Sequence, residues 1–222
     1  MEETVYLFDI DNTLLDNDSV TRDLRTFLQA EVGKKRADGY WKIFEELRHK
    51  LGYADYLGAL QEYRLKHPYD SHLLILSTYL VNYPFANRLI PQSLDVVKKA
   101  RSYGTAVVLT DGDVVFQPRK VERSGLFEAF AGNILIYIHK EQELADIERR
   151  YPARHYVLVD DKIRILTAVK RSWGERVTTV FVRQGHYAFD ETEVGKYPPA
   201  DFAVNEIREL LDLDFNNFAA QE

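Results

Sequence analysis

Two aspartates one residue apart, Asp9 and Asp11, close an apolar run that extends from Val5 to Phe8. In an extended chain residues i and i+2 point to one side, so both carboxylates converge at the end of a strand. Carboxylates held together repel and lose hydration unless a cation or a shared proton relieves them. No Lys or Arg stands close to them in the sequence. The pair therefore reads as a site for a hard cation with a candidate carboxylate nucleophile. The competing reading is a turn in which Asp, Asn and Thr bond their own backbone.

Two further segments have the same form. Val107-Val-Leu-Thr110-Asp-Gly-Asp113 ends an apolar run in a hydroxyl and a glycine turn. Thr110 can donate to an anion, and the loop at Asp111 and Gly112 can aim backbone N–H groups at a phosphate. The same tripeptide is also a common turn. Val157-Leu-Val-Asp160-Asp161 ends in a second acidic pair, which alone would serve equally well as a helix N-cap.

The elements that must position these residues follow from periodicity. Residues 4–9 read as a buried strand. Residues 17 to about 83 read as helical, with apolar positions at helical spacing in Leu24, Phe27, Leu28 and in Trp41, Phe44, Leu47, Leu51. Asp18-Ser19 and Asp70-Ser71 look like helix starts, Gly33 and Gly52 like stops, and the segment between Pro84 and Pro91 like a return linker. Beyond residue 92 helices and strands alternate: helix 92–103, strand 106–109, helix 118–124, strand 134–138, helix 141–150, strand 156–159, helix 162–172, strand 177–182 and helix 204–211. Such alternation predicts an α/β fold, a Rossmann-like parallel sheet covered on both faces, with the helical stretch inserted after the first strand. In such sheets ligands bind at the carboxyl ends of the strands, where all three polar segments fall.

Composition narrows the function classes. Net charge is −6, from 29 basic and 35 acidic side chains, with no strongly basic segment, which argues against nucleic acid as a partner. The chain has no cysteine, which rules out disulfides, thiolate metal sites and a Cys nucleophile. Its start lacks the basic and apolar regions of a signal peptide, and its longest apolar stretch, Leu73 to Val81, is too short to span a bilayer. A cytoplasmic protein with no membrane partner is the expectation.

DIDNTLLD, then VVLTDGD, then a lone Lys, then VLVDD, taken in that order, resemble the haloacid dehalogenase superfamily of phosphohydrolases. The match covers roughly residues 1–15 and 90–211. The resemblance implies a core domain at 1–15 and 90–222 and a helical cap domain at 16–89. It implies a Mg²⁺-dependent phosphatase acting on a small phosphorylated substrate through an aspartyl-phosphate. Asp9 takes the place of the nucleophile, and Asp11 that of the acid that protonates the leaving alcohol and then activates water. Thr110 matches the phosphate-binding hydroxyl, with Asp111 and Gly112 beside it. Mg²⁺ would sit between Asp9, the carbonyl of Asp11, Asp161 and Asp160. Lys140 has the place of the phosphate-binding lysine; Lys120 is the alternative, and Lys162 reads as a solvated or pairing residue. The second Asp that often follows the fourth motif is missing, since those positions are Ile163, Arg164, Ile165 and Leu166. A dehalogenase, a phosphomutase and a non-catalytic binding module on the same fold are the other readings. Arg88 could reach an anion but reads first as a solvated arginine, the histidines 139, 155 and 186 lack metal spacing, and the aromatics Tyr40, Trp41, Phe44, Tyr53 and Tyr56 fit a helical core first. The sequence leaves the substrate and the oligomeric state open.

Overall fold

A computed structural model of the protein describes residues 2–218. Six strands form one parallel sheet: β1 Glu2–Phe8, β2 Thr105–Asp111, β3 Ile134–Tyr137, β4 Ala153–Asp160, β5 Val177–Val182 and β6 Phe202–Val204, in the order β3-β2-β1-β4-β5-β6. This is the doubly wound order of Rossmann-like folds. The central strand shows why the run Val5–Phe8 must be a strand. Its side chains alternate between two apolar cores, Tyr6 and Phe8 on one face of the sheet and Val5 and Leu7 on the other. Burial of each such side chain contributes about 1.5–3 kcal/mol, and only a period of two places every one of them in a core.

Register delivers the acidic residues to one edge. Phe8 lies opposite Val108 on one side and Val159 on the other. The next residue of each flanking strand is therefore level with Asp9: Leu109 on β2 and Asp160 on β4. The Asp9 N–H donates to Val159 O at 3.0 Å and prolongs the ladder by one step.

Five helices cover the sheet or precede its strands: α5 Ser93–Arg101, α6 Phe116–Ser124, α7 Leu126–Ala129 (one turn), α8 Leu144–Arg150 and α9 Ile163–Trp173. Between β1 and α5 the chain makes four helices, α1 Asn17–Val32, α2 Lys34–Leu51, α3 Tyr56–Lys66 and α4 Leu73–Asn82. Gly33 ends α1, and Gly52, left-handed at φ 80°, ends α2. The first start lies two residues earlier than the sequence suggests: Asp16, not Asp18, caps α1 by accepting from Ser19 N at 2.9 Å. Helix α4 begins at Leu73, behind an Asp70 carboxylate that accepts from His72 N. Tyr40, Trp41 and Phe44 form the buried stripe of α2, and Phe44 continues through Tyr56 to Phe116 of α6, at centroid distances of 4.7 and 5.0 Å. Rings thus join the helical block to the sheet layer.

The two chain segments leading into and out of this block lie side by side. Asp16 N donates to Arg88 O at 2.8 Å, Ile90 N donates to Leu14 O at 2.9 Å, and Leu15 and Leu89 form an antiparallel bridge. Arg88 is engaged within this block. Its Nε lies 3.0 Å from Asp23 Oδ2 and 2.9 Å from the Tyr83 hydroxyl, which itself donates to Asp23.

The expected helix 204–211 is corrected. Phe202–Val204 is a three-residue edge strand paired with β5, and Ile207–Leu211 is a 3-10 turn. Ile207, Leu210 and Leu211 imitate helical spacing, but i, i+3 contacts suit a 3-10 turn equally. The expected helix 141–150 is likewise two pieces, a 3-10 turn at Lys140–Gln142 and α8.

Two short helices follow β5, α10 Gly185–Ala188 and α11 Glu191–Val194. Gly185 has φ 70°, and a Cβ there would lie 2.4 Å from Asn12 Cβ. Asn12 is also left-handed, at φ 62°, inside the loop that carries Asp11. Gln184 Nε2 clamps the same loop by donating to Asn12 O at 3.0 Å and Thr13 O at 3.3 Å. Gly185→Ala is expected to cost about 1–3 kcal/mol through strain and backbone displacement. Thermal unfolding checks this, and an unchanged midpoint would contradict the close approach.

Candidate active site

Asp9 is buried, and its Oδ1 lies 2.5 Å from Lys140 Nζ. Lys140 leaves the end of β3 in the 3-10 turn, whose first N–H donates to Asp111 Oδ1 at 2.7 Å. That bond fixes where the lysine starts. Its ammonium then reaches Asp9, Asp160 Oδ2 at 2.6 Å and the Leu109 carbonyl at 3.2 Å. Burial alone would push Lys140 down, but Asp160, Asp9 and Asp111 outweigh it and raise it above the ordinary lysine value.

The second acidic pair divides its contacts. Asp160 uses Oδ1 to accept from Lys162 N at 2.8 Å and Oδ2 to face Lys140. Asp161 is fully buried, and neither of its carboxylate oxygens has a hydrogen-bond partner. Burial raises both carboxyls above the usual range, and the neighbouring carboxylates add to the effect at Asp161 against the pull of Lys162. One oxygen each from Asp9, Asp160 and Asp161 lie within 4.8 Å of one another. Three clustered carboxylates, two paired with Lys140 and the third with two orphaned oxygens, fit the donor set of a hard divalent cation.

Asp11 is held separately. Its Oδ1 lies 2.5 Å from Lys120 Nζ, and Gln117 Nε2 approaches its Oδ2 at 3.4 Å while donating to Thr110 Oγ1 at 2.8 Å. Lys120 is buried and also donates to Asn17 Oδ1 at 3.1 Å. Phe116, Gln117, Lys120 and Val121 share the inward face of α6, which Asp113 caps by accepting from Val115 N and Phe116 N. At Gly112 any side chain would collide with Gln117, whose Cβ would be 2.6 Å from the new Cβ.

All residues singled out at the strand ends thus meet: Asp9, Lys140, Asp160 and Asp161 in one cluster, Asp11 and Thr110 in the next, Asp111 and Gly112 in the loop between. Each of the two candidate lysines holds one of the two aspartates, Lys140 on Asp9 and Lys120 on Asp11. Sequence reading missed Gln117. The signal was there in two polar residues, i and i+3, on the buried face of a helix whose outer face is charged. The histidines stay outside: His155 bonds Thr178, His139 packs at Gly52, and His186 pairs with Asp18 at the rim. A cleft of about 630 Å³ opens above the Asp11 cluster, walled by Asp11, Lys120 and Phe116 below, Arg48 and Tyr53 from the helical block, and Tyr187 of α10.

Residues 4–172 match the family of haloacid dehalogenase-like hydrolases. The chain belongs to this family. The hydrolase is 55% identical to a protein from Burkholderia xenovorans LB400 assigned as a haloacid dehalogenase-like hydrolase, with a TM-score of 0.93 over 96% of this chain and 100% of that one. Two more distant structures share its fold. One is the HAD-hydrolase YfnB from Bacillus subtilis bound to magnesium, at 14% identity, TM-score 0.63 and coverage of 96% and 98%. The other is the L-2-haloacid dehalogenase from Xanthobacter autotrophicus with chloropropionic acid covalently bound, at 18% identity, TM-score 0.59 and the same coverage. No curated protein matches the sequence. Among the described residues of this hydrolase, no helix is long and apolar enough to cross a membrane.

Proposed function

We propose that this hydrolase is a Mg²⁺-dependent phosphomonoesterase, acting in the cytoplasm on a small phosphorylated metabolite through an aspartyl-phosphate. The observation that carries the reading is the division of labour between the two aspartates. Asp9 sits with a buried ammonium beside the carboxylate cluster, while Asp11 is turned to the cleft and held by other residues.

Asp9 attacks phosphorus as the bond to the leaving oxygen breaks, and Asp11 delivers a proton to that oxygen. Asp11 then takes a proton from water, which attacks phosphorus and releases Asp9. Lys140 balances charge at Asp9 and on the phosphoryl oxygens. The Thr110 hydroxyl and the N–H groups of the Asp111-Gly112 loop hold those oxygens, with Gln117 fixing the hydroxyl from behind. Asp9, Asp160, Asp161 and the carbonyl of Asp11 would hold Mg²⁺, which neutralises the anionic ester so that a carboxylate can approach it. The helical block acts as the cap, and helix α6, whose rings and hydrogen bonds meet it, forms the floor of the cleft.

A dehalogenase has no leaving alcohol to protonate, so it gives Asp11 no task. A phosphomutase must keep water from the phospho-enzyme, and a non-catalytic module gives the filled set of strand-end residues no purpose. Purified protein is expected to release phosphate from para-nitrophenyl phosphate with Mg²⁺, to stop when a chelator removes the metal, and to recover when it is restored. Metal-independent turnover of a chloroacid with no phosphatase activity would overturn this reading.

A further inference from the structure

One group of cleft residues is left without a task by the chemistry above. Arg48 of α2 and Lys162, at the start of α9, come from opposite walls and meet on one ring. The Arg48 guanidinium carbon lies 5.5 Å from the Tyr187 ring centroid, and Lys162 Nζ lies 5.0 Å from it. Arg48 Nη2 donates to the Tyr187 hydroxyl at 2.5 Å. All three side chains line the cleft.

Burial alone would push Lys162 down, and the field of Asp161, Asp9 and Asp160 raises it instead, but neither cation has a close carboxylate partner. Among the described residues, no carboxylate lies within ion-pair distance of Lys162 Nζ, and the one near Arg48 is Glu45, at 3.6 Å through the other nitrogen, on a side chain that is 57% exposed. The acids at this rim are engaged elsewhere: Asp18 with His186, Glu193 with Lys196, and Asp190 as the cap of α11. Two cations from opposite walls of the cleft thus converge on one neutral ring. A ring face and a phenol oxygen compensate a cation only partly, and an anion at the same place does so better. Lys162 is anchored by its own N–H to Asp160, so this positive pair is tied to the carboxylate cluster at a fixed short remove.

We infer that Arg48 and Lys162, with Tyr187 between them as a displaceable stand-in, form a second anion subsite, and that the substrate carries an acidic group a few bonds from its phosphate. This rests on the phosphomonoesterase reading for the phosphate end. The class is a phosphorylated small hydroxy acid. Its carboxylate would take the Tyr187 oxygen's place at Arg48 and sit within reach of Lys162.

The test uses two esters that differ in one group, 3-phosphoglycerate with a carboxylate and glycerol 3-phosphate with a hydroxymethyl in its place. Their dissociation constants are measured by calorimetry with Mg²⁺ on the full-length Asp9→Asn protein, and their kcat/KM values on the native enzyme. A charged hydrogen-bonded pair predicts a preference of about tenfold or more for the carboxylate. The ratio should fall to within about threefold in Arg48→Met and in Lys162→Met. A ratio is insensitive to a general loss of active protein, and the two variants alter opposite walls. Equal affinity for the two esters, or a preference that survives in both variants, would overturn the subsite. Preferential binding without hydrolysis of either ester would instead sink the phosphatase reading and leave the subsite standing, and hydrolysis without preference would do the reverse.

Discussion

Asp9→Asn is expected to lower kcat for a phosphomonoester by about 10³-fold or more, with little effect on folding. The amide keeps the shape of the carboxylate, and its oxygen still accepts from Lys140. What it lacks is the charge and nucleophilicity needed to form a covalent bond to phosphorus. The fold should persist because Lys140 retains Asp160 as a partner at 2.6 Å, so the buried ammonium is not stranded. The measurement is a pair of steady-state rates with a thermal unfolding curve for each protein. Activity within tenfold of native would remove Asp9 from the nucleophile's role, and a collapsed melting curve would show that the residue serves the fold first.

Lys140→Met should have the larger effect on stability. Among the described residues, Lys140 is the one ammonium ion-paired with both Asp9 and Asp160, and all three groups are buried. Removing one partner of a buried ion pair typically costs about 3–5 kcal/mol, because the remaining charge stays without compensation. Here three carboxylates would face one another, so the metal-free variant is expected to lose stability on that scale in denaturant titrations. Millimolar Mg²⁺ should return part of the loss, since a ligand that binds only the folded state stabilises it by mass action. Asp161→Asn is expected to behave in the opposite way. It replaces a buried carboxyl that has no hydrogen-bond partner and faces two other carboxylates, so the metal-free protein should gain stability while the Mg²⁺-dependent rise in melting temperature shrinks. A Lys140→Met protein as stable as native without metal would show that the cluster does not carry the strain its geometry implies.

The strands that carry chemistry were legible because each is an apolar run ending in polar residues, and in a doubly wound sheet that edge is where sites lie. The core elements around Asp9, Thr110 and Asp160 follow from this pattern. What was not legible depends on rotation and register. Nothing in the order of residues says that α6 turns Gln117 and Lys120 inward, or that Lys120 pairs with Asp11 while Lys140 takes Asp9. The edge strand Phe202–Val204 is too short for a period of two to be seen, and the apolar spacing just after it resembles a helix. Arg88 read first as a solvated arginine because Asp23, its partner, lies 65 residues away in the chain.

The backbone pairing of Leu14–Asp16 with Arg88–Ile90 constrains how the four inserted helices can travel. Two independent tethers would let them swing and slide in any direction. A hydrogen-bonded two-stranded ribbon flexes readily out of its own plane and resists shear within it. Any displacement of the inserted helices would therefore be channelled along one arc, set by the plane of that ribbon.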